Sequence, residues 1–114
     1  MLIIWHNPRC RKSRETLAIL EASGQEVTIR RYLEDNPSQA ELIDILKQLG
    51  LETPRALMRR GETIYKDKGL KSVTDSALLV KAMAENPILI ERPVVTNGQK
   101  AILGRPPEAI KALL

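Results

Sequence analysis

The sequence contains a single cysteine and a single histidine, and this scarcity excludes whole classes of chemistry. One cysteine cannot form an intramolecular disulfide, so the chain is not a small secreted scaffold held together by disulfides. Structural zinc and iron–sulfur sites draw most of their ligands from several cysteines and histidines. A chain with only one of each has too few ligands for such a site. We therefore expect no metal site and no bound cofactor.

Aromatic residues and long apolar runs are also scarce. The only aromatics are Trp5, Tyr32 and Tyr65, and there is neither an aromatic-plus-basic stripe for stacking bases nor a helix-turn-helix signature. The excess of 18 Lys and Arg over 14 Asp and Glu therefore does not favour nucleic-acid binding. No segment reaches the roughly 20 apolar residues of a membrane span, and the N-terminus lacks the pattern of a signal peptide. We expect a cytoplasmic protein without a membrane partner.

The 114 residues are enough for one domain, predicted over 1–114. The pattern predicts strands at Leu2–Trp5, Val27–Leu33, Ile88–Ile90, Val94–Val95 and Ala101–Leu103. It predicts helices at Lys12–Ser23, from Ser38 to Leu49, at Pro54–Arg60, at Thr74–Glu85 capped by Thr74, and from Pro106 onward. A Ser38–Glu41 capping box begins the second helix, and Asn97-Gly98 is the strongest hairpin turn signal.

The order of these elements predicts an α/β protein with a thioredoxin-like fold. A β-α-β half is followed by a β-hairpin-α half, which together would form a mixed sheet. The helices at about 38–85 would form an insertion between the two halves.

The segment from His6 to Arg14, HNPRCRKSR, carries the sharpest chemical signal. Cys10 lies between a strand end and a helix start, where unpaired backbone N–H groups and the positive end of the helix dipole converge. Arg9, Arg11, Lys12 and Arg14 add positive charge, and both effects predict a thiolate with a lowered pKa in an anion-binding cradle. The alternative is an inert buried cysteine, which this charge density disfavours.

Ser13 occupies the place of the second cysteine in a Cys-x-x-Cys oxidoreductase. An oxidised product on Cys10 therefore cannot be resolved within the molecule, and turnover needs an external thiol. A Cys-x5-Arg phosphatase loop would need arginine where Thr16 stands, and no phosphate-binding glycine loop of the Walker or dinucleotide type occurs. His6 is either a general base or a polar residue that orients the loop electrostatically; we favour the second role.

Several motifs in order along the whole chain resemble the glutaredoxin-coupled arsenate reductase (ArsC) family, and in particular its short housekeeping-type members. They are His-Asn-Pro-x-Cys-x-x-Ser-Arg from His6, Tyr32-Leu33-Glu34, the run from Arg55 to Arg59, the run from Asn86 to Val95, and Gly104-Arg105-Pro106.

The resemblance implies a role for each matching residue. Cys10 would be the nucleophile, assisted by His6. The oxyanion substrate would be bound by Arg59, Arg92 and Arg105, while Asn7, Ser13, Arg14 and Pro93 would support the loop. The Arg92-Pro93 bond would match the cis-proline of thioredoxin folds, although a cis bond does not follow from the sequence itself.

The implied activity is reduction of arsenate to arsenite through a Cys10 adduct, with glutathione as co-substrate and glutaredoxin as protein partner. Two alternatives remain open. One is a redox-responsive regulator of the same fold that binds a protein such as RNA polymerase. The other is a thiol oxidoreductase that acts on a different oxyanion.

Overall fold

The chain forms two compact units in a computed structural model that describes all residues from 1 to 114. The first unit comprises residues 1–35 and 92–114, and the second comprises residues 36–91. In sequence, the second unit contains the helical insertion expected at about 38–85. The single domain over 1–114 stays a prediction. No helix combines the length and apolar character needed to cross a membrane.

The first unit is built on a four-stranded mixed sheet. Its elements are β1 (Leu2–Trp5), α1 (Arg11–Ala22), β2 (Val27–Arg30), β3 (Val94–Thr96), β4 (Ala101–Leu103) and a 3₁₀ helix at Pro107–Leu113. The strands are ordered β2-β1-β3-β4. β1 pairs parallel to β2, while the β1–β3 and β3–β4 pairs are antiparallel. This arrangement confirms the expected thioredoxin-like fold.

Aliphatic side chains form the core of the first unit. The fully buried members of one cluster are Leu2, Ile4, Leu20, Val95 and Ile110. In the sheet register Ile4 lies between Ile29 and Val95. Leu2 and Ile4 both belong to this cluster because residues two apart in a strand face the same side of the sheet. The expected hairpin is present, because the Asn97 N–H donates to the Lys100 carbonyl oxygen at 3.0 Å between β3 and β4.

The second unit is helical. Its elements are α2 (Gln39–Leu49), α3 (Thr63–Asp67), α4 (Ser76–Glu85) and 3₁₀ helices at Pro54–Leu57, Leu70–Ser72 and Pro87–Leu89. The predicted capping box is formed: Ser38 Oγ accepts from the Glu41 N–H at 3.1 Å, and Glu41 Oε1 accepts from the Ser38 N–H at 3.0 Å. Gly50 ends α2 in the left-handed conformation, with φ of 71°.

Five elements differ from the sequence predictions in their bounds, type or cap. The strand β2 ends at Arg30 instead of Leu33, and the helices predicted at Pro54–Arg60 and from Pro106 are 3₁₀ helices. Asp75 caps α4 in place of Thr74, because its carboxylate accepts from the Ala77 N–H at 2.9 Å. The segment Ile88–Ile90 is not a strand of the sheet: the Ile90 N–H donates to the Pro87 carbonyl oxygen at 3.0 Å and closes a 3₁₀ turn, and only Ile90 pairs with another segment, in an isolated antiparallel bridge to Met58.

Candidate active site

Cys10 caps the N-terminus of α1. Its backbone is extended, with φ of −92° and ψ of 122°, and its carbonyl oxygen accepts from the Arg14 N–H at 3.0 Å. The side chain of an N-cap residue lies beside N–H groups that have no partner within the helix. Here the backbone N–H groups of Lys12 and Ser13 lower the pKa of the half-buried thiol, although the Cys10 side chain forms no capping hydrogen bond.

The pKa of the Cys10 thiol lies below its ordinary value of 9.0. Partial burial is the largest influence and raises the pKa, since it penalises the charged thiolate. Three interactions together outweigh it: the Ser13 N–H, the Arg92 guanidinium through both a hydrogen bond and its charge, and the Lys12 N–H. The site therefore stabilises a thiolate, as expected from the position of Cys10 at a helix start.

The cations that the sequence predicts to lower the Cys10 pKa are not the ones that do so. The side chains of Arg9, Arg11, Lys12 and Arg14 are not among the causes of the lowered pKa. All four are exposed; Arg11 pairs with Glu15 at 2.8 Å, and Arg14 Nη1 donates to the Pro8 carbonyl oxygen at 3.0 Å. Charged side chains next to a loop can turn into water, where their influence on a nearby group is screened.

A buried hydrogen-bond network holds the loop before Cys10. Ser13, which is fully buried, places its Oγ 2.6 Å from His6 Nδ1 and accepts from the Asn7 N–H at 3.1 Å. Asn7 Oδ1 in turn accepts from the Arg9 N–H at 3.0 Å. The hydroxyl of Ser13 thus ties the first turn of α1 to the end of β1, which fixes the position of Cys10 between them.

His6 has the environment of a neutral imidazole. Burial lowers its pKa from the ordinary 6.5, and the nearby charges of Arg31 and Arg14 lower it further, while Glu21 raises it to a smaller extent. A ring with its Nδ1 on Ser13 has a fixed orientation. This geometry supports a role in positioning the loop.

Arg92 and Arg105 contact each other within the first unit, and Arg92 also reaches Cys10. Arg92 contacts the sulfur, and Arg105 Nε donates to the Arg92 carbonyl oxygen at 2.8 Å. The Arg92–Pro93 peptide bond is cis, as the resemblance implies, and so is the Arg105–Pro106 bond, which was not expected.

Gly104 packs where no side chain fits. A Cβ at this position would overlap Thr16 Oγ1 and lie 2.7 Å from Pro93 Cγ. Gly104 also donates its N–H to the Pro93 carbonyl oxygen at 2.9 Å. The close approach of Gly104 to both α1 and Pro93 fixes the segment that carries Arg105. Gly104 stands in the Gly104-Arg105-Pro106 motif, but no local sequence signal predicts this packing role.

Arg59 belongs to the second unit. Its Nη1 lies 3.0 Å from Glu91 Oε1, its Nε lies 3.7 Å from Glu62 Oε2, and its N–H donates to the Leu89 carbonyl oxygen at 2.7 Å. The half-buried guanidinium is thus oriented by two carboxylates. No local sequence signal predicts this role for Glu62 or Glu91, because Glu91 is distant from Arg59 in the chain and Glu62 is one of many acidic residues.

Comparison with known proteins assigns the family. A model of the ArsC family matches residues 5–113. The chain belongs to the ArsC family. It is 47% identical over 114 residues to the arsenate reductase of Haemophilus influenzae, covering 99% of this chain and 98% of that relative. It is 48% identical over 109 residues to the uncharacterized protein YfgD of Escherichia coli, covering 94% and 91%.

A solved ArsC-type structure agrees with this fold over nearly its full length. The arsenate reductase of Vibrio cholerae superposes with a TM-score of 0.94 at 49% identity, covering 99% of this chain and 97% of that one. Among the residues expected at an ArsC site, the first unit brings Cys10, Asn7, Ser13, Arg92 and Arg105 together, and the second unit carries Arg59.

Proposed function

We propose that this protein is an arsenate reductase in which the Cys10 thiolate is the nucleophile. The observation that carries the proposal is the convergence of two backbone N–H groups and the Arg92 guanidinium on the Cys10 sulfur. The same donors suit a tetrahedral oxyanion, because N–H groups at a helix start and a planar guanidinium both bind such anions. Relatives named arsenate reductase, at 47% and 49% identity, support this choice of oxyanion.

The first chemical step joins sulfur to arsenic. Arsenate binds with its oxygens toward the loop N–H groups, Arg92 and Arg105. The thiolate of Cys10 attacks arsenic, an S–As bond forms, and one arsenate oxygen leaves as water after taking up protons. Arsenic remains As(V) in the resulting adduct. Arg92 acts twice in this scheme, since it stabilises the thiolate before the attack and the oxyanion charge during it.

The reduction step needs a second thiol. Glutathione adds to the adduct, an S–S bond forms between the glutathione and Cys10 sulfurs, and the S–As bond breaks with its electron pair kept by arsenic. The two sulfurs thereby supply the two electrons that convert As(V) to arsenite. Because Ser13 stands where a resolving cysteine would, we assign removal of the mixed disulfide to glutaredoxin. A cytoplasm that maintains reduced glutathione is the location we propose.

Arg59 is proposed as the third oxyanion-binding arginine on the family resemblance. The adjacent Arg60 provides a matched control, because it has the same chemistry and is exposed. Arg59→Ala should lower kcat/KM for arsenate, and Arg60→Ala should leave it nearly unchanged. Equal losses in both variants would show that the assignment of Arg59 is wrong.

A coupled assay tests the proposed activity. Purified protein, glutathione, glutaredoxin, glutathione reductase and NADPH are combined, and NADPH oxidation is followed with and without arsenate. We expect arsenate-dependent oxidation that disappears in Cys10→Ser. Turnover with a different oxyanion and none with arsenate would show that the other oxyanion, and not arsenate, is the substrate. The redox-responsive regulator would be favoured by a different result: no turnover, and stoichiometric capture of a protein such as RNA polymerase, with the capture depending on the redox state of Cys10.

A further inference from the structure

A cleft of about 510 Å³ lies within the second unit, and no residue assigned to arsenate chemistry lines it. It is lined by Arg55, Arg60, Tyr65, Lys66, Gly69 and Lys71, which together define the basic cleft. Its volume falls in the range of about 300–1,000 Å³ that is typical of small-molecule sites. All six residues belong to the segment 36–91, whereas Cys10, Arg92 and Arg105 belong to the first unit; Arg59 belongs to the same segment as the cleft but is not part of its lining.

The charge of the basic cleft is of one sign. Four of its six lining residues are cations and none is an acid. None of the four cations forms an ion pair with a carboxylate within 4.0 Å. The nearby Glu62 does not neutralise them, because it pairs with Arg59. Uncompensated cations around a concavity raise the local concentration of anions.

Arg55 is held in place as part of the wall. Its Nη1 donates to Tyr65 OH at 2.5 Å and to the Leu70 carbonyl oxygen at 3.0 Å, and its Nη2 donates to the Val73 carbonyl oxygen. All three acceptors are neutral, so these contacts fix the orientation of the guanidinium without a carboxylate that would offset its charge. A half-buried cation that is already oriented loses little conformational entropy when an anion binds.

The lining is mainly apolar in surface despite its charges. Tyr65 contributes a buried aromatic ring, and the methylene stems of Lys66 and Lys71 cover further apolar area while their ammonium groups reach solvent. A small inorganic ion would leave this apolar surface unused. A ligand that combines an apolar body with an anionic group would use both features.

We propose that the basic cleft binds a small organic anion with a flat or elongated apolar body and a carboxylate, sulfonate or phosphate group. Its apolar part would pack on Tyr65 and the lysine stems, and its anionic group would face Arg55, Arg60 and Lys71. The site is independent of the proposed arsenate reduction, so either can fail without the other.

Anilinonaphthalene sulfonate is a suitable probe, because it joins two aromatic groups to one permanent anion and fluoresces when it leaves water. It is titrated into the native full-length protein. We expect saturable binding at one site. The matched neutral compound, phenylnaphthylamine, lacks the sulfonate and should bind at least several-fold more weakly. Absence of saturable binding, or equal affinity for the neutral compound, would overturn the proposal.

Charge reversal locates the bound probe. Arg60→Glu combined with Lys71→Glu should weaken binding by about 10-fold or more, since each exposed ion pair contributes up to about fivefold and reversal adds repulsion. Lys47→Glu combined with Lys81→Glu is the matched control, because both lysines are exposed in the same unit and lie outside the cleft. Equal binding by the two double variants would overturn the proposal.

Two further variants complete the design. Lys66→Glu alone should weaken binding, which gives an independent result should the double variant have a lowered unfolding temperature. Arg105→Ala should bind the probe as the wild type does. Loss of binding in Arg105→Ala would place the probe at the Cys10 loop and refute the assignment to the basic cleft.

Discussion

Ser13→Ala removes the hydroxyl that connects α1 to the segment before it. The fully buried Oγ accepts from the Asn7 N–H and contacts His6 Nδ1 at 2.6 Å, so both groups lose their partner in the variant. A buried polar group left without a hydrogen bond costs about 1–3 kcal/mol. The better helix propensity of alanine offsets only about 0.5 kcal/mol.

The expected loss of unfolding free energy is therefore about 2–5 kcal/mol, a large part of the 5–15 kcal/mol typical of a domain. Urea unfolding measures it, with Ser76→Ala as the control, because Ser76 is exposed at the start of α4 and should change stability by less than about 0.5 kcal/mol. The Ser13 backbone N–H to the sulfur remains in the variant, so the Cys10 pKa should move little.

Two results would refute this reasoning. A loss no larger than that of Ser76→Ala would show that the Ser13 hydroxyl does not carry the connection between α1 and the loop. A marked rise in the Cys10 pKa at unchanged stability would show that the hydroxyl acts on the sulfur and not on the fold.

Three other predictions concern the Cys10 loop. The rate of Cys10 alkylation plotted against pH should have its midpoint below 9.0. Arg92→Ala should raise this midpoint, because the substitution removes a hydrogen bond and a positive charge from the thiolate. An unchanged midpoint would show that Arg92 does not lower the Cys10 pKa. Arg105→Ala should lower kcat/KM for arsenate by about 10- to 150-fold, through loss of about 1.5–3 kcal/mol of charge-assisted hydrogen bonding, with Arg60→Ala as the control. His6 binds a proton less readily in the folded protein than in the unfolded chain, so the unfolding free energy should be highest above pH 6.5 and fall as the pH drops below it. Urea unfolding between pH 7 and 5.5 measures this, and His6→Gln should show a flatter pH dependence.

Local sequence signals predicted the elements that begin and end on strong caps and turns. The Ser38–Glu41 capping box, the glycine after α2 and the Asn97-Gly98 hairpin each depend on residues close together in the chain, so a sequence pattern contains the whole interaction. The helix α3 has five residues and only Tyr65 buried, which leaves no apolar periodicity to detect. Ile88–Ile90 was misread as a strand because a short buried 3₁₀ turn has the same apolar composition.

The candidate site also has one part that local sequence predicts and one part that it does not. The position of Cys10 at a helix start was predictable, because β1, the Asn7-Pro8 break and α1 are consecutive. The guanidinium on the sulfur was not predictable from local sequence, since Arg92 reaches it through the pairing of β1 with β3. Local charge density therefore pointed to Cys10, but the cation that lowers its pKa is the sequence-distant Arg92.

A single-turnover experiment tests the central claim most directly. Reduced protein is mixed with arsenate and glutathione in the absence of glutaredoxin, and arsenite release and protein mass are measured on the same sample. We predict one arsenite per protein molecule, together with one glutathione joined to Cys10 by a disulfide, and neither product without arsenate. Arsenite release without modification of Cys10, or the same glutathione adduct in the absence of arsenate, would contradict the account.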